Sequence, residues 1–175
     1  MAEGETVDDA ALAAELVAMM DEQRELMART GGGSVGRPSV DARREQREVF
    51  VRHGDRLEQL LAVTGWPAPA RVGEEASRAA WLVAQHADTQ LSVQRLALRL
   101  LGEAVARGEA PVQQLAMLED RVAVTEGGLQ RYGTQVADVV DGRPVPWPVL
   151  DPDRLDERRA EVGLEPWATH VARWL

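Results

Sequence analysis

Residues 74–107 read EEASRAAWLVAQHADTQLSVQRLALRLLGEAVAR. Leu82, Val83, Val93, Ala97, Leu100 and Leu101 recur here at the spacing of one helix face, taken at about 100° per residue. The pattern predicts a helix from near Glu74 to about Arg107, with a bend near Asp88 as the alternative. It makes the chain mainly α.

Working outward, the same period runs from about Asp8 to Arg29 and closes at Gly31-Gly32-Gly33-Ser34, a flexible connection over about 30–38. A second helix is expected from about Ser39 to Val63, stopped by Gly65-Trp66-Pro67. Pro111 opens a fourth, to about Arg121. Beyond it the period weakens. Arg121–Thr125 and Leu129–Gln135 flank Glu126-Gly127-Gly128 and read as a short hairpin. Asp141-Gly142-Arg143-Pro144 is another turn, and Pro144, Pro146 and Pro148 favour an extended edge segment. Asp151-Pro152 has the form of an N-cap with proline at the first helical position. Trp167, Val171 and Trp174 lie at helical spacing in a tail that docks on the body. The expected architecture is a single domain over residues 1–175: a four-helix core, a small β-hairpin element and a C-terminal helical tail.

Composition narrows the class. The 175 residues are 45% hydrophobic, enough for a globular core and too apolar for a disordered chain. Twenty basic residues against 29 acidic ones give a net charge of −9, which disfavours nucleic acid as a partner. No apolar run approaches the roughly 18 residues of a membrane span. The acidic Met1–Asp9 stretch is unlike a secretory signal, and the chain reads as cytoplasmic. With no cysteine there is no disulfide, thiol nucleophile or zinc–thiolate site. Lys, Ile and Asn are absent too, a bias that a GC-rich genome explains. An arginine here is therefore not in itself a sign of phosphate binding.

Function enters through polar residues on faces that should be buried. Gln23 falls among Leu12, Leu16, Met19, Met20, Leu26 and Met27. Gln46 and His53 lie within the Val49, Phe50, Leu57, Leu60, Leu61 stripe. His86 sits near the centre of the third helix's face with Gln90 beside it, and Glu119 interrupts Val112, Leu115, Ala116, Val122 and Ala123. A buried amide left unpaired costs about 1–3 kcal/mol, and an isolated carboxylate more. Such a set is either a hydrogen-bonded network fixing helix register or a polar pocket between helices. Gln85-His86-Ala87-Asp88 does not by itself make a His–Asp pair. On an unbroken helix the two side chains point about 200° apart, and only a break near Asp88 brings them together.

Gly65-Trp66-Pro67, Gln85-His86-Ala87-Asp88, Leu118-Glu119-Asp120-Arg121 and Tyr132-Gly133-Thr134-Gln135, in this order, resemble the motifs of an uncharacterised bacterial family, a domain of unknown function. The resemblance covers roughly Gly65 to Leu164, with Arg158-Arg159 and Gly163-Leu164 near its end. It implies that His86, Asp88, Asp120, Arg121, Gln130, Tyr132, Thr134 and Gln135 belong to the family's signature. It implies no reaction.

The chemistry these residues suit best is metal-independent acid–base catalysis on a small polar molecule: hydrolysis, dehydration, cyclisation or isomerisation. His86, Glu119 and Tyr132 are the expected catalytic groups. Gln23, Gln90, Asp88, Asp120, Arg121, Gln130, Thr134 and Gln135 are the expected substrate contacts. No cofactor is called for. A metal-dependent hydrolase or oxygenase would use His53, His86 and Glu119, although no local ligand motif joins them. A non-enzymatic module binding a small ligand or a protein is the other alternative, and the tail tryptophans would suit a homo-oligomer contact. No Gly-x-Ser-x-Gly elbow and no Walker loop is present.

Overall fold

In the computed structural model, residues 8–30, 39–140 and 143–172 are described. The elements in order are α1 (Asp9–Thr30), α2 (Val40–Thr64), α3 (Pro69–Val72), α4 (Glu74–His86), α5 (Leu91–Ala106), α6 (Val112–Thr125), β1 (Val136–Val140), β2 (Arg143–Pro146), a 3-10 turn (Pro152–Arg154), α7 (Leu155–Glu161) and α8 (Trp167–Ala172). The protein is mainly helical, with a small antiparallel hairpin and a C-terminal helix. The glycine-rich connection, the Asp141-Gly142 turn, Met1–Val7 and Trp174 lie outside the described residues. Among the described residues no helix is long and apolar enough to cross a membrane. The chain forms two compact units, Met1–Leu100 and Leu101–Leu175.

In the first unit α1, α2 and α4 pack on one another, and the short α3 packs on α1 and α4. Leu12, Leu16 and Leu26 of α1 and Leu57 and Leu61 of α2 are buried. The inner face of α4 is built from Ala76, Ala79, Ala80, Val83 and Ala84, so its neighbours approach closely, while Leu82 is only half-buried. Ser39 starts α2 by accepting a hydrogen bond from the Ala42 N–H at 3.1 Å. Arg71 ties α3 to α1 through Asp9 at 2.6 Å.

The helix expected over 74–107 is two helices. The ψ of Ala87 turns to 43°, which ends α4 at His86. The Gln90 N–H donates to the Ala87 carbonyl at 2.9 Å, and the Gln90 carbonyl accepts from Val93 and Gln94 to begin α5. Asp88 and Thr89 occupy the turn, where short polar side chains compete with helical hydrogen bonding.

In the second unit the hairpin expected over 121–135 is displaced. Arg121–Thr125 continues α6, because Val122 is buried one turn after Leu118 and that gain outweighs the β propensity of Val122, Val124 and Thr125. The Gly-Gly pair ends this helix. Gly127, at φ 76°, and Gly128 donate to the carbonyls of Val124 and Ala123 at 3.0 and 2.8 Å, a left-handed closure that a Cβ would strain. The strands lie further on, pairing Val136 with Pro146 and Val140 with Arg143 around an irregularity at Val136–Asp138. Asp151 precedes Pro152 as expected, but its side chain makes no cap. Its backbone is left-handed at φ 41°, and its carbonyl accepts from Arg158 instead. Ala116, Tyr132 and Val162 form a small core here. The tail docks within this unit: the Trp167 N–H donates to Asp156 at 2.7 Å, and the Arg159 guanidinium lies 5.8 Å from the Trp167 ring centre.

Candidate functional site

The first unit gathers Gln23 from α1, His53 and Phe50 from α2, and His86 from the end of α4 into one continuous contact. His86 Nδ1 lies 2.6 Å from Gln23 Oε1, and Gln23 Nε2 lies 3.2 Å from His53 Nδ1. His53 Nε2 reaches Glu22 Oε2 at 2.9 Å, and Arg52 holds the other oxygen of that carboxylate. Phe50 stacks on the His86 ring, with centres 5.0 Å apart and planes 8° from parallel. Gln23 and His53 are 1% and 4% exposed, so each hydrogen bond there replaces one that water would have made.

The chemistry of the groups fixes the direction of every bond. Burial holds the His53 imidazole below its ordinary value, outweighing the opposing pull of Glu22, so the ring is neutral at neutral pH. The hydrogen bond from Arg52 keeps the Glu22 carboxyl below the usual carboxylate range, and Glu22 only accepts. His53 therefore donates from Nε2 to Glu22 and accepts at Nδ1 from the Gln23 amide N–H. Reversing the Gln23 amide would demand protons on both His53 nitrogens, which burial opposes. Gln23 Oε1 is left to accept from His86, so His86 Nδ1 carries a proton, and in the neutral form of this ring the lone pair is on Nε2. Glu22, His53, Gln23 and His86 form one polarised chain.

His86 also lines a pocket of about 290 Å³ together with Arg43, Gln46, Arg47, Phe50, Asp88 and Thr89. Asp88 reaches this pocket because the helix breaks after His86. Its carboxylate accepts a long hydrogen bond from Gln94 Nε2 at 3.4 Å. Gln90 turns elsewhere: its Nε2 donates to Asp55 at 2.6 Å while its Oε1 is buried with no hydrogen-bond partner among the described residues. It crosses α2 at Gly54, where a Cβ would stand 2.1 Å from Gln90 Oε1. His53 has both ring nitrogens engaged, and among the described residues no group of three His, Asp or Glu is placed to hold a metal ion.

Glu119, Tyr132, Asp120, Arg121, Gln130, Thr134 and Gln135 belong to the second unit. Asp120 is fully buried on α6. One of its oxygens accepts from the Arg131 and Tyr132 N–H groups at 2.6 and 3.0 Å, and the other from the Thr134 N–H and hydroxyl at 2.9 and 3.0 Å. Gln130 donates to the Gln135 and Trp147 carbonyls and accepts from the Gln135 N–H. The Gln135 amide donates to the Met117 carbonyl and to Thr134 Oγ1. Arg158 and Arg159 close the set from α7: Arg158 donates to the carbonyls of Arg131, Leu150 and Asp151, Arg159 to those of Tyr132 and Glu165. These groups act on backbone, and what they build is a loop held rigid without regular structure. Beside it, burial raises Glu119 above the usual carboxylate range, with Arg131 opposing and Asp120 reinforcing. Burial, then the nearby Glu119 charge, also raises the Tyr132 hydroxyl, which stays protonated at neutral pH. Arg121 is half-buried on α6.

Sequence reasoning passed over Glu22, Arg52, Arg43 and Arg47. Glu22 and Arg52 lie on exposed flanks of their helices, where nothing in the helical period separates them from ordinary surface charge. Arg43, Arg47 and Phe50 stand at i, i+4 and i+7, one face of α2, and that spacing is a readable signal.

Fold and side chains together define a mainly helical protein with an imidazole at a helix end, aligned by a buried amide and a second imidazole, bordering a small pocket. The chain belongs to a family of unknown function (DUF6624), whose model matches residues 10–174. That match runs beyond the Gly65–Leu164 stretch in which the motifs were read. No curated protein and no solved structure matches the chain.

Proposed function

We propose that this protein acts on a small polar molecule by acid–base chemistry, with His86 as the proton-transferring group at the pocket it lines. The observation that carries this reading is the polarised chain Glu22–His53–Gln23–His86. It holds a proton on His86 Nδ1, so that in the neutral ring the lone pair is on Nε2, the form a general base requires. When Nε2 takes a proton from the substrate, the positive charge on the ring is shared with Gln23 Oε1 at 2.6 Å and, through His53, favoured by the Glu22 carboxylate. Phe50 keeps the ring in plane. Returning the proton to a different substrate atom completes an isomerisation, and delivering it to a departing group as the substrate forms a double bond completes an elimination. In a hydrolysis Nε2 takes the proton from a water as that water attacks the substrate, then delivers it to the group whose bond breaks. Thr89, Gln46 and Asp88 offer neutral and negative hydrogen-bonding groups to orient the substrate.

The test incubates a polar-metabolite extract with wild type and with His86→Gln, following compounds by mass and retention time. The expected result is at least one small polar compound converted by wild type and left intact by His86→Gln, with the two proteins unfolding at similar temperatures. Equal conversion by His86→Gln removes His86 from the chemistry. A compound retained by wild type without conversion favours the non-enzymatic binding module.

A further inference from the structure

We infer that the pocket beside His86 receives the oxyanion of its ligand, a carboxylate or phosphate group, on the guanidinium groups of Arg43 and Arg47. The inference rests on the same pocket as the proposed acid–base chemistry and names what the pocket takes.

The observation lies in how the arginines of α1 and α2 are used. Arg24 is paired with Asp21, Arg29 with Glu45, Arg44 with Asp41 and Glu48, Arg52 with Glu22, and Arg56 with Glu15. Arg43 and Arg47 make no ion pair among the described residues, and they are the two that line the pocket with His86. In a chain with 29 acidic and 20 basic residues, unpaired cations have many carboxylates available. Two left without one among the described residues, a helical turn apart and lining the same cavity, make a site for the anion of a ligand.

Genomic bias explains why the basic residues are arginines. It does not explain why, among the described residues, these two arginines of α1 and α2 make no ion pair when the others do. The lining holds one carboxylate, Asp88, already approached by Gln94. It comes from the turn after α4, whereas both guanidinium groups come from α2. An anionic end therefore belongs on the α2 side, with the remainder of the ligand toward Asp88 and Thr89. A volume of about 290 Å³ falls just below the roughly 300–1,000 Å³ of ligand pockets, so the ligand is a small metabolite. Its anion would stand beside an imidazole that gains a positive charge during proton transfer, which favours that transfer.

The full chain is titrated at low ionic strength with inorganic phosphate and, separately, with acetate, following the His86 imidazole resonances by NMR. Wild type is compared with Arg43→Gln/Arg47→Gln and with the ion-paired control Arg44→Gln. The expected result is a saturable His86 shift with at least one probe, weakened about tenfold or more in the double variant and unchanged in Arg44→Gln. Saturation by phosphate alone assigns a phosphate-bearing ligand, and by acetate alone a carboxylate. No saturable shift with either probe, or a shift that survives the double substitution, overturns the inference. Because binding is read without turnover, anion binding with no converted compound would end the catalytic reading and leave this one standing.

Discussion

Replacing Gln23 by Leu removes the one side chain that joins His86 to His53 and changes little in volume. Two hydrogen bonds disappear, at 2.6 and 3.2 Å, each contributing about 0.5–1.5 kcal/mol net. His53 is 4% exposed, and its Nδ1 lone pair, left without a donor, adds roughly 1–3 kcal/mol. Leucine offsets part of this by burying apolar surface, worth about 1.5–3 kcal/mol for a full side chain. The net expectation is a loss of about 1–3 kcal/mol. In a chain of this length that lowers the unfolding midpoint by roughly 2–4 °C per kcal/mol.

The double variant Gln23→Leu/His53→Phe should lose less than the sum of the two single changes, by about 1–2 kcal/mol, because neither partner is then stranded. The second readout is the nitrogen-15 shifts of the His86 ring. In wild type the neutral imidazole carries its proton on Nδ1, and in Gln23→Leu that preference is lost. Additive single effects together with an unchanged His86 tautomer would show that Gln23 fills space and aligns nothing.

Three further outcomes follow from the same geometry. Burial depresses His53 below the ordinary imidazole value of 6.5, so the unfolded chain takes up that proton first. Its contribution is complete above about pH 6.5 and is lost as pH falls toward the folded value. Urea midpoints of wild type should therefore decline more steeply across that window than those of His53→Phe, and parallel curves would refute the assignment. Glu119 has the opposite sign: its pKa is raised from 4.5, so its stabilising protonated form is lost as pH rises through the folded value. Glu119→Gln should unfold at the same temperature as wild type or higher at neutral pH, with no advantage in acid below the ordinary carboxylate value. A drop of several degrees at neutral pH would make Glu119 a structural partner instead. Asp120→Asn turns one acceptor oxygen into a donor facing the Thr134 N–H. It should cost about 2–4 kcal/mol and strip hydrogen-exchange protection from Arg131, Tyr132 and Thr134. Retained protection would mean that the loop is held by other contacts.

The two surprises along the chain share a cause. Residues 74–107 keep a helical apolar period on both sides of Asp88, so period alone leaves open whether the helix breaks there, as it does where the ψ of Ala87 turns to 43°. Residues 121–125 carry β-branched side chains that favour a strand locally, yet packing of Leu118 and Val122 holds them in α6. The polar residues were legible for a firmer reason. Gln23 and His53 stand on apolar helix faces, and a helix cannot bury one side of its face without the other. Their burial thus follows from period, whereas their partners do not. Asp120 and Gln130 drew notice through motifs alone, because hydrogen bonds to an irregular loop leave no periodic trace.

The mainly helical class, the burial of Gln23 and His53 and the stop after α2 follow from local rules: a 3.6-residue period, glycine and proline chemistry, and the cost of burying polar groups. The pairing of Gln23 with two imidazoles, the turn of Asp88 into the His86 pocket and the lack of an ion pair at Arg43 and Arg47 among the described residues are different in kind. Each depends on how separate helices approach one another and at what rotation. Those distances are set when apolar faces from remote parts of the chain pack, and no spacing within a single helix encodes them.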